Sequence, residues 1–201
     1  MEAISAKLIH RLTLYHCILS YSLEKREYVS SAEIASLLKI DDSLVRKDIS
    51  FCNVQGLPKH GYKVLELKQK IENVLSFHYA KDVFVVGAGH LATALTQYSD
   101  FKDYGINILA LFDNNEEKIG KMINGKRVFD IKRLDELIKR TRVDTVFLTL
   151  PPQCAQDITN KLVDSGIKYI FNFTPCVLRV PQDVKVRHEN IISSFLQMKI
   201  S

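Results

Sequence analysis

The chain has 201 residues, 46% apolar and 25% charged, with a formal net charge of +5. That composition excludes a disordered or fibrous chain and leaves room for one or two domains with real cores. No apolar run reaches membrane-spanning length, and residues 1–7 lack the apolar centre of a signal peptide, so a cytoplasmic protein with no membrane partner is expected. Cys17, Cys52, Cys154 and Cys176 are scattered without metal-ligand spacing and read as reduced packing residues.

Residues 4–23 place Leu8, Leu12, Tyr15, Ile18 and Leu19 near helical spacing and predict one helix. A turn follows at residues 24–27, then a short extended piece at Tyr28-Val29. Ser30 and Glu33 form a capping box that opens a short helix over residues 31–38. Residues 39–41 make a tight connection, and Asp41 or Asp42 caps a second short helix over residues 43–50. Two short helices joined this tightly make a helix-turn-helix pattern. In the second helix Leu44, Val45 and Ile49 fall inward. Ser43, Arg46, Lys47 and Ser50 fall outward, and hydroxyls and cations suit the phosphates and base edges of a DNA major groove. An ordinary solvated helix face has the same composition, so the next stretch carries weight. Residues 54–62 form a Gly/Pro loop with Lys59 and His60 at its tip, which reads as a wing beside a recognition helix. Residues 62–77 return to helix, with Val64, Leu67, Ile71 and Val74 on one stripe.

From residue 83 the pattern changes. Val83, Phe84, Val85 and Val86 make a short buried strand, followed by Gly87-Ala88-Gly89-His90-Leu91-Ala92 and a helix-forming run to Tyr98. Strand, Gly-x-Gly-x-x-Ala turn and helix are the order of a dinucleotide-binding βαβ unit. Gly87 permits the tight turn, Gly89 lets backbone approach a pyrophosphate, and Ala92 lets the helix lie close to the strand. A second buried strand, residues 106–112, ends at Asp113, about 20 residues on, where the fingerprint places an acid for the adenosine ribose. Asn114, Asn115, Glu116 and Glu117 follow, with no Arg to hold a 2′-phosphate. The prediction is NAD(H) rather than NADP(H).

Asn124-Gly125 is a turn, and Arg127-Val128-Phe129 reads as a short edge strand. Residues 131–139 form an amphipathic helix. Residues 145–150 form a buried strand stopped by Pro151-Pro152. Residues 155–165 form a helix with Gly166 at its C-terminus, and residues 169–173 form another strand. Alternating strands and helices give a parallel sheet, whose ligands bind beyond the carboxyl ends of the strands. Thr149, Leu150 and Pro151, with Asn172, Thr174 and Pro175, lie at those ends and would surround the far half of a dinucleotide. The last helix, residues 190–201, shows Ile191, Ile192, Phe195 and Leu196 on one broad face. A second copy of the chain is the expected cover, giving a homodimer suited to two DNA half-sites.

With both halves read, the chain resembles the Rex family of redox-sensing transcriptional repressors. The resemblance is carried by Arg11-Leu12-x-Leu14-Tyr15, Val29-Ser30-Ser31-Ala32-Glu33, Val45-Arg46-Lys47-Asp48-Ile49-Ser50, Gly61-Tyr62, Val86-Gly87-Ala88-Gly89-x-Leu91, Phe112-Asp113, Ala155-Gln156 and Asn172-Phe173-x-Pro175. It implies a homodimer that binds a double-stranded DNA operator and represses genes for NADH reoxidation until NADH displaces NAD⁺. It implies an α/β fold: a winged helix-turn-helix domain over residues 1–80, a Rossmann domain over 81–187, and a swapped dimerisation helix over 188–201. It implies contacts of Arg46 and Lys47 with DNA, and of Gly87, Gly89, Leu91 and Asp113 with the adenosine and pyrophosphate. The chain also departs from the pattern. Ala92 replaces the third glycine of the turn, His90 precedes Leu91, and Leu57-Pro58-Lys59-His60 occupies a more basic wing. Of the family's Arg–Tyr–Asp switch only Tyr98 matches; Cys17 and Asn190 stand at the other two places.

Three other readings use the same residues. A small NAD-dependent oxidoreductase would need an acid–base group at the nicotinamide, and Tyr98 with Lys102 falls at the wrong end of the first Rossmann helix. A coenzyme A site would set a ribose phosphate against Asp113. A divergent regulator with weakened redox coupling remains open through Cys17 and Asn190.

Overall fold

A computed structural model describes residues 4–23 and 25–200, with the side chains of Ser22 and Ile191 excepted, in two compact units that divide between Tyr79 and Ala80. Glu24 of the expected turn and Ser201 of the last helix lie outside the described residues.

In the first unit, α1 (Ala6–Cys17) starts where the Ser5 hydroxyl accepts the Leu8 N–H, and a π-helical turn (Ile18–Ser22) continues it. The single helix expected over residues 4–23 therefore changes pitch at Ile18. Leu12, Tyr15 and Leu19 on its inner stripe are fully buried. β1 (Tyr28–Val29) leads into α2 (Ser31–Leu38), whose capping box is complete: Glu33 N–H donates to Ser30 Oγ and Ser30 N–H donates to the Glu33 carboxylate. α3 (Asp42–Phe51) is capped by Asp41. β2 (Tyr62–Lys63) pairs antiparallel with β1, and α4 (Val64–Val74) follows at once. The expected helix over 62–77 thus loses its first two residues, because the Val29–Tyr62 pairing takes Tyr62 into the sheet. Leu67 and Ile71 of α4 close the core over Ile34, Val45 and Ile49. Each fully buried Leu or Ile contributes roughly 1.5–3 kcal/mol of transfer free energy.

The second unit is a seven-stranded sheet in the order β5-β6-β4-β3-β7-β8-β9. Its strands are β3 (Lys81–Val86), β4 (Ile106–Asp113), β5 (Met122–Ile123), β6 (Lys126–Asp130), β7 (Thr145–Leu148), β8 (Tyr169–Asn172) and β9 (Lys185–His188). All pairs are parallel except β5 with β6. Among the described residues its α-helices are α5 (His90–Gln97), α6 (Leu134–Thr141), α7 (Pro152–Asp164) and α8 (Ile191–Ile200). Pleating sends alternate residues to opposite faces. Val83, Val85 and Phe147 pack with Ala92 of α5. Phe84, Val86, Val146 and Leu148 pack with Leu137 of α6 and Leu162 of α7. The chain reverses direction across the sheet between β3 and β7, which leaves a crevice at the carboxyl ends of those two strands.

Two sequence expectations about the sheet are corrected here, and one strand is new. The strand at Arg127–Phe129 is not an edge: it extends over Lys126–Asp130 and is flanked by β4 and the hairpin strand β5. The strand ending at Pro151 stops earlier, at Leu148, and Pro152 opens α7 instead of only blocking the strand, a place where its missing N–H costs nothing. β9 was not expected at all.

Candidate cofactor cleft and nucleic-acid interface

The Gly-rich turn leaves β3 at Gly87, whose φ of +104° is a left-handed conformation. A Cβ there would meet the Thr149 carbonyl and hydroxyl oxygens at 2.7 Å. Gly87 is therefore required both by its backbone angle and by the end of the neighbouring strand. Gly89 differs. A Cβ on it would meet nothing within 4 Å, so the space above it belongs to the cleft. Gly89 caps α5, and Ala92 one turn on is fully buried against the strand. These small residues sit where a pyrophosphate cradle needs them.

Asp113 closes the other wall. One carboxylate oxygen accepts the Ala88 N–H at 2.8 Å and lies 3.3 Å from Lys118 Nζ; the other accepts the Asn115 N–H at 2.9 Å. Burial pushes this carboxyl up. The Asn115 and Ala88 amides and the Lys118 ammonium outweigh that and hold it below the ordinary aspartate value. Asp113 is thus an anion already oriented for further donors such as ribose hydroxyls. The cleft here is about 520 Å³ and brings together Gly87, Ala88, Gly89, Asp113, Thr149, Leu150 and Pro151. Lys118 and Cys154 also line it, and sequence reasoning passed over both. Lys118 stands five residues beyond Asp113 in an apparently acidic loop. It supplies a cation where none was expected, although Asp113 partners it.

A second cleft of about 400 Å³ lies among Leu91, Thr174, Pro175, His188 and Asn190. Asn172 is completely buried beneath it and bonds Thr174, Cys176 and His188. Of the expected cofactor residues, His90 is exposed at the first position of α5 and lines neither cleft. The Asn172 and Thr174 side chains turn into the protein rather than toward solvent.

On α3, Ser43, Arg46, Lys47 and Ser50 are all exposed on one side, while Val45, Asp48 and Ile49 are buried on the other. Arg46 reaches back to Asp42 at 3.1 Å, a surface pair one turn away that water and a phosphate can compete for. The hydroxyls are less available than expected. Ser43 donates to the capping Asp41 carboxylate and Ser50 donates to the Lys47 carbonyl, which leaves both as acceptors only. The wing is a tight loop closed by Leu57 and Gly61 through two backbone bonds, with Lys59 at φ +68° and both Lys59 and His60 exposed. The His60 ring lies 5.4 Å from the Tyr28 ring, which fixes one side of the tip.

Within the second unit Tyr98 is exposed just after α5, with its ring 5.0 Å from Phe101. Asn190 caps α8, accepting the Ser193 N–H. Cys17, half-buried, ends α1 in the first unit. On α8 the side chains of Ile192, Phe195, Leu196 and Met198 are all exposed. Among the described residues there is no cluster able to hold a metal, and no helix is long and apolar enough to cross a membrane.

Comparison with known proteins agrees with this division. Residues 3–50 match a family described as "Putative DNA-binding protein N-terminus", and residues 78–176 match the "CoA binding domain" family. The redox-sensing transcriptional repressor Rex of Treponema denticola is 37% identical over 197 residues, covering 98% of this chain and 94% of its own. Rex 2 of Thermotoga maritima is 35% identical, covering 94% and 91%. Two crystal structures of RSP, a Rex-family repressor, align over 99% of this chain at 30% identity. One holds β-NAD⁺ and operator DNA, with a TM-score of 0.89 and 92% of its chain covered. The other holds β-NADH, with a TM-score of 0.87 and 94% covered. A DNA-binding type of unit followed by a doubly wound sheet, with this identity from end to end, places the chain in the Rex family of redox-sensing transcriptional repressors.

Proposed function

We propose that the chain binds operator DNA as a homodimer through α3 and the wing, and that NADH in the second unit releases it. The observation that carries this reading is the cradle itself: Gly87 locked against Thr149, open space over Gly89, and Asp113 oriented by Ala88. It fits a dinucleotide. The N–H groups of the Gly87–Gly89 turn and the start of α5 would hold the pyrophosphate, and Asp113 the adenosine ribose. Leu91, Thr149, Leu150, Pro151, Thr174 and Pro175 would enclose the rest. The bound group supplies two redox states that differ by one charge on the nicotinamide ring. Asp113 would repel the ribose phosphate of coenzyme A, so NAD(H) is favoured despite the name of the matching domain family.

In the DNA-binding role Arg46 and Lys47 meet phosphates or base edges, Ser43 and Ser50 accept hydrogen bonds, and Lys59 and His60 touch the backbone beside the groove. The exposed apolar face of α8, with Ile192, Phe195 and Leu196, supports the homodimer. Residues 1–80, 81–187 and 188–201 then serve as reader, sensor and dimerisation segment. A repressor of this kind works in the cytoplasm, where its operator is. It regulates transcription, in keeping with relatives that are redox-sensing transcriptional repressors, and Tyr98 and Lys102 follow α5 and line neither cleft.

The test is a gel-shift titration on a palindromic operator of the Rex type, with NAD⁺ and NADH added separately at matched concentrations. Release by NADH alone is the expected result. One observation favours a second reading, in which coupling is weakened: Cys17 and Asn190 put no charge at the two positions flanking Tyr98 in the family's switch. Binding indifferent to both dinucleotides would establish that reading.

A further inference from the structure

We infer that Lys118 limits how strongly the cleft prefers NAD(H) over NADP(H). It holds the Asp113 lone pair that a second ribose hydroxyl needs, and it is the cation that a ribose 2′-phosphate would meet. This rests on the NAD(H) reading above, and NADH remains the preferred ligand.

An ionised carboxylate offers about four lone-pair sites. On Asp113 three donors already share them: Oδ1 accepts the Asn115 N–H at 2.9 Å, and Oδ2 accepts the Ala88 N–H at 2.8 Å and lies 3.3 Å from Lys118 Nζ. One ribose hydroxyl can take the site left on Oδ1. A second must displace one of the donors. Asn115 and Ala88 offer backbone amides, and Ala88 is buried in the Gly-rich turn. The Lys118 contact is the longest of the three, its donor rides on a flexible stem, and its side chain is 38% exposed. The ammonium is therefore the group that yields.

The displaced ammonium stays beside the ribose. The Lys118 N–H donates to the Asn115 carbonyl at 2.9 Å, which anchors the residue at the wall of the cleft. Lys118 is the lone cation among the residues lining that cleft. Among the described residues Asp113 is its one carboxylate partner, although Glu116 and Glu117 precede it in the chain. Toward NAD(H), Lys118 competes with a neutral hydroxyl for Oδ2. Toward NADP(H), it offers a charge-assisted bond to the 2′-phosphate and offsets the repulsion from Asp113. Both effects narrow a preference that Asp113 alone would make wider. The pyrophosphate is common to the two ligands, so any attraction of Lys118 for it cancels in the ratio of their affinities.

The experiment measures NADH and NADPH affinities by calorimetry on the full-length natural protein, Lys118→Met and Lys118→Arg. The natural protein should bind NADH tightly and NADPH weakly but measurably. Lys118→Met keeps an unbranched stem without the charge and should raise the NADH-to-NADPH affinity ratio about tenfold. Lys118→Arg keeps the cation and should not raise it. A residue that only braced the loop would weaken both ligands alike and leave the ratio where it was. An unchanged ratio in Lys118→Met, an equal rise in Lys118→Arg, or no detectable NADPH binding in a natural protein that binds NADH overturns the inference. If the natural protein binds neither dinucleotide, the NAD(H) reading itself fails and takes this inference with it. The Asn115 and Ala88 amides still hold Asp113 in both variants, so circular dichroism should report intact folds.

Discussion

Asp48 and Arg11 meet along two parallel bonds, Nε to Oδ2 at 2.5 Å and Nη2 to Oδ1 at 2.8 Å, and the Tyr15 hydroxyl adds a third to Oδ2 at 2.8 Å. Asp48 faces inward on the same helix that turns Arg46 and Lys47 outward. The angle at which α3 presents itself is thus fixed from α1 by a charge-assisted fork rather than by apolar contact alone.

Removing Arg11 leaves a carboxylate buried with only Tyr15 to satisfy it. Arg11→Met should cost about 2–4 kcal/mol of stability in urea denaturation. Arg26→Met breaks the largely exposed Arg26–Glu33 pair and should cost less than about 1 kcal/mol. Equal losses would show that the Arg11 fork carries no special weight.

Burial and the neighbouring Asp48 push the Tyr15 phenol above its ordinary value. The folded pKa then exceeds that of the unfolded chain, so the contribution to stability is complete below about pH 10 and is lost as pH rises through the folded value. Unfolding followed upward from about pH 10 should show this decline, and Tyr15→Phe should remove it. Asp113 has the opposite sign, because its folded pKa is depressed. Its contribution is present above about pH 4 and is lost as pH falls through the folded value. Acid unfolding of Asp113→Asn should be correspondingly shallower.

The two glycines of the cofactor turn should separate folding from binding. Gly87→Ala forces a Cβ into Thr149 at a left-handed φ and should destabilise the second unit by about 1–3 kcal/mol. Gly89→Ala meets no protein atom and should fold normally. Its methyl occupies cofactor space, so its NADH affinity should fall by at least about tenfold in calorimetry.

Arg46→Ala and Lys47→Ala should each weaken operator binding and reduce the slope of log affinity against log salt by about 1 if the contact is to a phosphate. Unchanged binding by both in a footprinting assay would remove α3 from the interface.

Phe195→Asp on α8 should shift sedimentation toward monomer if that face is the dimer contact, since a charge then replaces apolar area.

Much of this was legible in the residues. The Ser30–Glu33 box, the Asp41 cap, the Gly87–Ala92 turn and the Asp113 strand end are local devices, and each formed where its chemistry predicts. The hairpin turn at Asn124-Gly125 is another: both residues adopt positive φ, and the Asn124 amide also ties the hairpin to Thr96 on α5. What escaped was set by partners distant in sequence. β9 reads Lys-Val-Arg-His, with a single apolar residue, because an edge strand buries little and its charges discourage further pairing. Tyr62 looks helical until Val29 pairs with it. Asp48 reads as one more charge on an exposed helix until Arg11, 37 residues earlier, arrives beside it. Lys118 and His188 gain meaning only from Asp113 and Asn172, which the sheet brings to them.

The inward fork on Asp48 also bears on how such a regulator changes its targets. Orientation is stored in Arg11 and Tyr15 of α1 and in Val45, Asp48 and Ile49 of α3, while the positions proposed to read DNA are Ser43, Arg46, Lys47 and Ser50, all exposed. Along α3 the two sets interleave yet share no side chain. A new operator can be learned by rewriting four exposed positions, with the mounting of the reading head left untouched.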